Sequence, residues 1–155
     1  MIYVEALKDF NVPEDYVSVF LAGGITGAPD WQADLVDLLK DKTEKLVVFN
    51  PRRKDFPIND PSASQDQITW EYEMLRKVDI VSFWFVKETL NPITLFELGA
   101  QSVLKKVLIV GTDPEYSRRQ DILEQMSLAR PGNEVVNNLD DLALMIRYWY
   151  GMLRK

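Results

Sequence analysis

Val17-Ser18-Val19-Phe20-Leu21-Ala22-Gly23-Gly24-Ile25-Thr26-Gly27-Ala28-Pro29-Asp30 is the stretch that decides the fold. Its first six residues are a short, β-branched apolar run that stops at Gly23-Gly24, which predicts a buried strand ending in a loop. Asp30 then stands as an N-cap for a helix carrying Leu35, Val36, Leu38 and Leu39. Strand, glycine loop and helix make a first unit, and the alternation continues downstream. Leu46-Val47-Val48-Phe49 predicts a second strand, closed by Asn50-Pro51 and followed by Arg52-Arg53 and a polar stretch to Gln65. That connection, roughly 15 residues, has the length of a lid or binding loop. A helix is expected over 67–77, with Ile68, Tyr72 and Leu75 on one face, and Asp79 introduces a third strand over 80–86. Helix 92–105, strand 106–110, helix 117–129, a short strand at Val135-Val136 and helix 139–152 complete the series. Such alternation implies a mostly parallel, five-stranded sheet covered on both faces, an α/β three-layer sandwich. The first 16 residues, without a clean period, read as an amino-terminal arm or irregular strand.

At 155 residues with eight prolines spread along it, the chain suits one well-buried domain. Hydrophobic residues make up 46% and charged residues 27%, the balance of a soluble domain. A net charge of -6 without a basic stripe argues against nucleic acid as a partner. No run of 18 apolar residues is present, and the amino terminus, with Glu5, Asp9 and Glu14, lacks a signal-peptide pattern. A cytoplasmic protein without a membrane partner is therefore expected. The chain has neither histidine nor cysteine, which excludes thiol chemistry, imidazole- or thiolate-based zinc sites and Ser-His or Cys-His pairs. Catalysis would fall to carboxylates, tyrosines, lysines or backbone dipoles. With no acidic loop of the calcium type either, no metal and no other cofactor is expected.

Three groups of residues carry candidate chemistry. The glycine loop, Gly23, Gly24 and Gly27, offers backbone N–H groups before a helix N-terminus, which suits an anion, yet its spacing matches neither a P-loop nor a dinucleotide fingerprint. It is either a tight turn or a place where backbone approaches a ligand. The carboxylates Glu71, Glu73, Asp79 and Glu97 form the second group. Glu73 reads as surface charge and Asp79 as a cap or turn residue at the amino end of its strand. Glu71, near the start of the expected helix, suits either a favourable dipole position or a functional role. Glu97 lies in Asn91-Pro92-Ile93-Thr94-Leu95-Phe96-Glu97-Leu98-Gly99, just inside the helix that follows the third strand. Ligands of open α/β sheets bind beyond the carboxyl ends of the strands, so Glu97 should point into an apolar-walled cleft as the candidate nucleophile. The third group is aromatic and amide: Trp31, Gln32, Asn50, Gln67, Trp70, Phe83, Trp84 and Phe85. Most should be core, while those at strand ends could sandwich a flat heterocycle whose edge Asn or Gln reads.

Taken in order, Val19-Phe20-Leu21-Ala22-Gly23-Gly24-Ile25, Asp30-Trp31-Gln32, Phe49-Asn50-Pro51-Arg52-Arg53, Gln67-Ile68-Thr69-Trp70-Glu71, Val78-Asp79-Ile80-Val81 and Glu97-Leu98-Gly99 resemble the nucleoside 2-deoxyribosyltransferase-like family over residues 17–111. The resemblance implies a flavodoxin-like or Rossmann-like sandwich and a glutamate nucleophile, which falls on Glu97. It implies an acid that meets the nucleobase and assists its protonation, which falls on Glu71. Gly23, Gly24, Asp30, Trp31, Asn50, Arg52, Gln67 and Asn91 become the expected substrate-binding residues. Phe20 stands where the family carries a tyrosine, and Asn91 where transferases carry Asp and nucleotide hydrolases Ser. The hydrolases' Gly-Ser-Ile-Arg-Gly loop reads Gly23-Gly24-Ile25-Thr26-Gly27 here, which favours a nucleoside over a nucleotide, while Arg52 and Arg53 offer charge for a phosphate from another loop. The chemistry implied is attack of a carboxylate on an anomeric carbon, giving a glycosyl-enzyme that a nucleobase or water resolves with retention. N-deoxyribosyl transfer leads, N-glycoside hydrolysis follows, and a non-catalytic module for a nucleotide-like ligand is the third reading. A homo-oligomer is expected, because Arg147-Tyr148-Trp149-Tyr150-Gly151-Met152-Leu153 is rich in aromatics for a free surface and relatives complete their sites with a neighbour's carboxyl terminus.

Overall fold

The computed structural model describes residues 1–55 and 61–154. Six strands form one sheet: β1 Ile2–Glu5, β2 Val17–Gly23, β3 Leu46–Asn50, β4 Ile80–Phe85, β5 Val107–Thr112 and β6 Val135–Val136. Their order is β1-β3-β2-β4-β5-β6, and every pairing is parallel. Among the described residues the α-helices are α1 Trp31–Leu39, α2 Pro61–Lys77, α3 Pro92–Ser102, α4 Arg119–Ala129 and α5 Leu139–Leu153, with one 3-10 turn at Lys40–Lys42 after α1. Chain order reverses at β2, which has β3 on one side and β4 on the other. A crevice opens at such a switch point, beyond the carboxyl ends of the two diverging strands.

Strand alternation divides the core in two. Phe20, Ala22, Phe49, Phe83, Phe85 and Val110 face one side, where Trp70 and Leu75 of α2, Leu98 of α3 and Ile122 and Met126 of α4 cover them. Val19, Leu21, Val48, Ile80, Trp84 and Ile109 face the other, under Trp31, Leu35 and Leu39 of α1 and Leu142, Ile146 and Tyr150 of α5. This is the three-layer α/β sandwich expected, with central strands buried on both faces.

Two expectations need correction. The sheet has six strands rather than five, because the amino-terminal arm contributes β1, with Ile2 in register with Val47 and Glu5 with Asn50. An edge strand of four residues, of which only Val4 is buried, shows too little alternation to stand out in sequence. Helix α2 starts at Pro61, six residues before the expected 67. Proline suits the first helical position because its ring fixes a helical φ and its missing N–H is not needed there. Ser62, Ser64, Gln65 and Asp66 carry no apolar period, which hid the first turns. Of the connection expected to run to Gln65, the last five residues are therefore helical, and 56–60 lie outside the described residues.

Asp79 holds the amino ends of β2 and β4 together. Its Oδ2 accepts from Ser18 N at 2.8 Å and Ser18 Oγ at 2.6 Å, while its own N–H donates to Ser18 Oγ at 3.0 Å. Among the described residues no helix is long and apolar enough to cross a membrane.

Candidate active site

A cleft of about 780 Å³ opens at the carboxyl ends of β2 and β4, between α2 and α3. Phe20 and Ala22 form its floor, Gly23 to Thr26 one wall, and Pro51 and Arg53 an end. Ser64, Gln67, Ile68 and Glu71 enter from α2; Thr89 to Thr94 and Glu97 enter from the β4–α3 turn and α3. Gln67 and Glu71 share a helix face because they are four residues apart.

Two carboxyl groups thus reach one cleft from two helices. Burial, with the Glu71 charge adding to it, pushes the Glu97 carboxyl up to about 8. Burial also raises Glu71, against a hydrogen bond from Gln67 that favours its charged form. Gln67 Nε2 donates to Glu71 Oε1 at 2.8 Å and to Pro51 O at 2.9 Å. Among the described residues, Gln67 Oε1 is buried without a partner. Glu71 sits in the eleventh position of α2, so the dipole argument based on a helix start near 67 does not apply to it.

The structure brings together Glu71, Glu97, Gly23, Gly24, Gln67 and Asn91 of the expected site. Asp30, Trp31, Asn50 and Arg52 lie outside the cleft lining and are engaged elsewhere. Asp30 caps α1, its Oδ1 accepting from Ala33 N at 3.2 Å, and pairs with Arg52 Nε at 3.3 Å. Arg52 also donates to Gln32 Oε1 at 3.0 Å and Pro29 O at 2.8 Å, so it fastens the β3 exit to the start of α1. Asn50 accepts from Arg52 N at 2.9 Å and donates to Tyr3 Oη at 2.8 Å. Trp31 is buried and donates to Gly24 O at 3.0 Å, bracing the glycine loop from beneath. None of the expected sandwich aromatics lines the cleft: Trp31, Trp70, Phe83, Trp84 and Phe85 are core, and Phe20 is the aromatic ring at its floor.

The glycines have reasons within the protein. A Cβ on Gly23 would lie 2.4 Å from the Trp31 ring and 2.5 Å from Trp84 O, and one on Gly24 would lie 2.0 Å from Asn91 Oδ1. Of the two readings of this loop, tight packing accounts for both positions.

Thr26 and Thr94 line the cleft without having been singled out as binding residues, and of the two arginines that offer charge for a phosphate it is Arg53 that lines it. Which of two adjacent arginines turns inward depends on Arg52 folding back onto α1, a tertiary contact that no local pattern announces. Among the described residues, no group of three or more carboxylates is arranged to hold a metal ion.

A model of the family described as "Nucleoside 2-deoxyribosyltransferase like" matches residues 16–116, which contain β2 to β5 and both carboxylates of the cleft. No curated protein matches the sequence. The crystal structure of a conserved protein from Enterococcus faecalis V583 superposes with a TM-score of 0.59 at 15% identity, over 86% of this chain and 99% of that one. That likeness is one of fold.

Proposed function

The chain belongs to the nucleoside 2-deoxyribosyltransferase-like family, and from that premise we propose that it transfers 2-deoxyribosyl groups between nucleobases through a glycosyl ester on Glu97. The observation that carries the reading is the convergence of Glu71 and Glu97 on one apolar-floored cleft at the switch point of the sheet. The two carboxyl groups supply both functions the displacement needs. Glu97, as carboxylate, attacks the anomeric carbon as the C–N bond to the base breaks, and Glu71, as acid, delivers a proton to the departing base. A second nucleobase then attacks the anomeric carbon from the face the first one left, giving up its N–H proton to Glu71 as the ester C–O bond breaks, with net retention and Glu97 freed.

At neutral pH a single proton shared by the pair matches this need: one group must be charged and the other must hold a proton. With Glu97 pushed up to about 8 beside the Glu71 charge, the pair titrates as a unit. The resting proton on Glu97 has to pass to Glu71, or to the base, before attack. Gln67 lines the cleft beside Glu71, and its Oε1, unpartnered among the described residues, offers an acceptor for an N–H of the base once its side chain turns toward the ligand.

Purified protein incubated with deoxynucleosides, with and without a second base, tests the proposal. Exchanged nucleoside is the expected product. Free base alone would replace transfer by N-glycoside hydrolysis, and neither product would leave a ligand-binding module.

A further inference from the structure

The turn that starts α3 is built in an unusual way. Asn91 precedes the helix with φ 52° and ψ 52°, a left-handed conformation that asparagine adopts more readily than most other non-glycine residues, because its short side chain can hydrogen-bond nearby backbone. Its side chain makes no cap hydrogen bond to the first turn of α3. Instead Nδ2 donates to Thr89 O at 2.8 Å and to Val86 O at 3.3 Å, and Oδ1 accepts from Thr89 Oγ1 at 2.8 Å. Across the cleft wall the glycine loop is shaped around this turn. Gly24 has no room for a Cβ because Asn91 Oδ1 occupies the space, and Gly27, at φ +72°, faces Thr89 Cγ2.

Both amide hydrogens of Asn91 are therefore committed to carbonyl oxygens, which leaves no donor for a sugar hydroxyl or a base. What the side chain does hold is the direction of the helix that carries Glu97, six residues further on. Six residues span roughly 9 Å of helix, so a tilt of about 6° at Asn91 would displace Glu97 by about 1 Å. A misplacement of that size costs on the order of 10²-fold in rate. We propose that Thr89 and Asn91 form a wedge, seated against Gly24 and Gly27, that aims α3, which makes Asn91 a positioning residue for Glu97 rather than a contact to the substrate. The inference rests on the reading of Glu97 as nucleophile.

The test compares Asn91→Ala, Thr89→Val and Thr89→Ser with wild type, each shown to be folded by thermal melts, in the deoxynucleoside exchange assay. Asn91→Ala and Thr89→Val should lower kcat about 10- to 100-fold with KM within about threefold. Thr89→Ser, which keeps the hydroxyl, should recover most of that loss. A raised KM at unchanged kcat in Asn91→Ala would make Asn91 a substrate contact and overturn the proposal, as would equal activity in Thr89→Val and Thr89→Ser. Should Asn91→Ala fail to fold, the Thr89 pair decides by itself. If the wild type turns over no deoxynucleoside, the catalytic reading fails separately, and the wedge is read from the ¹³C titration of the Glu97 carboxyl carbon. A midpoint that moves in Thr89→Val and returns in Thr89→Ser supports it, and an unmoved midpoint in both overturns it.

Discussion

Gln67 donates its side-chain amide to Glu71 Oε1 at 2.8 Å, across one turn of α2, and among the described residues this is the hydrogen bond that favours the charged form of that carboxyl. Burial acts in the opposite direction and dominates. Gln67→Leu should therefore raise Glu71 further, since the desolvation stays and the donor is lost. Charge-assisted hydrogen bonds contribute about 1.5–3 kcal/mol, and about 1.4 kcal/mol corresponds to one pH unit. The acid limb of the kcat/KM profile should move upward by about one unit; a limb at its wild-type position would separate Gln67 from the titration of Glu71.

The shared proton predicts the alkaline side of the same profile. Below the first macroscopic pKa both carboxyls are neutral and no nucleophile exists; above the second, near 8, both are charged and no acid remains. Activity should be bell-shaped and fall above about pH 8. A nucleophile acting alone would instead gain activity as pH rises through 8, so kcat/KM still rising at pH 9 would rule the shared proton out.

At the other end of the sheet, Asp79 is bound up with Ser18 by three hydrogen bonds of 2.6, 2.8 and 3.0 Å. Asp79→Ala leaves the Ser18 N–H and hydroxyl without their acceptor, and Ser18 is buried. We expect a loss of about 2–3 kcal/mol, an unsatisfied buried donor costing about 1–3 kcal/mol. Urea unfolding measures it. Activity per folded molecule should stay at the wild-type level, because Asp79 is not among the residues lining the cleft.

Much of this was legible in the sequence, and the exceptions share a cause. Apolar runs marked β2, β3 and β4, the first two closed by glycine or asparagine, because strands buried on both faces are near-continuously apolar. Asp30 was readable as a cap since capping is a local contact, realised in its bond from Ala33 N. Edge strand β1 and the polar first turns of α2 carried no period to read. Within the cleft, Glu97 was legible as a carboxylate at a helix position facing the switch point, whereas Glu71 was assigned to the site by the resemblance, its place in the helix leaving a dipole role and a functional role open. The inward turn of Arg53, the outward engagement of Arg52, Asn50 and Asp30, and the seat of Asn91 against Gly24 depend on contacts between segments distant in sequence. Resemblance assigned Asn91 to the substrate, whereas its hydrogen bonds face the protein.

Self-association is expected from surface that a lone chain leaves apolar. Helix α5 buries Leu142, Ile146 and Tyr150 against the sheet, yet Leu144, Tyr148 and Met152, spaced four apart, form an exposed second stripe. Ile68 and Ile93 at the cleft are exposed as well, as are Tyr72 and Phe96 on the same two helices. Exposed apolar patches of this kind mark protein interfaces. Light scattering at micromolar concentration should report a mass of at least twice 17.9 kDa. Tyr148→Glu together with Met152→Glu should lower that mass if α5 forms the contact, and monomeric wild type would dismiss the expectation.

Glu97→Gln should separate chemistry from stability in one protein. The amide keeps the size and shape of the side chain but cannot form an ester with the anomeric carbon, and loss of an essential nucleophile lowers turnover by roughly 10⁴- to 10⁶-fold. Stability should move the other way. Glu97 titrates near 4.5 in the unfolded chain and near 8 in the folded one. A carboxyl whose folded pKa is raised favours the folded state while it is protonated; that contribution is complete below about pH 4.5 and is lost as pH rises through about 8. The wild type thus carries a burden at pH 9 that the glutamine variant lacks, on the order of 2 kcal/mol once solvent access to the cleft reduces the full shift. Denaturant unfolding should find the two proteins alike at pH 4 and the variant more stable at pH 9. Glu71→Gln should be milder in activity, with a loss of about 10² to 10⁴, because water can take over part of a protonation role. A Glu97→Gln protein that retains near-normal exchange would remove the nucleophile assignment, whatever its stability.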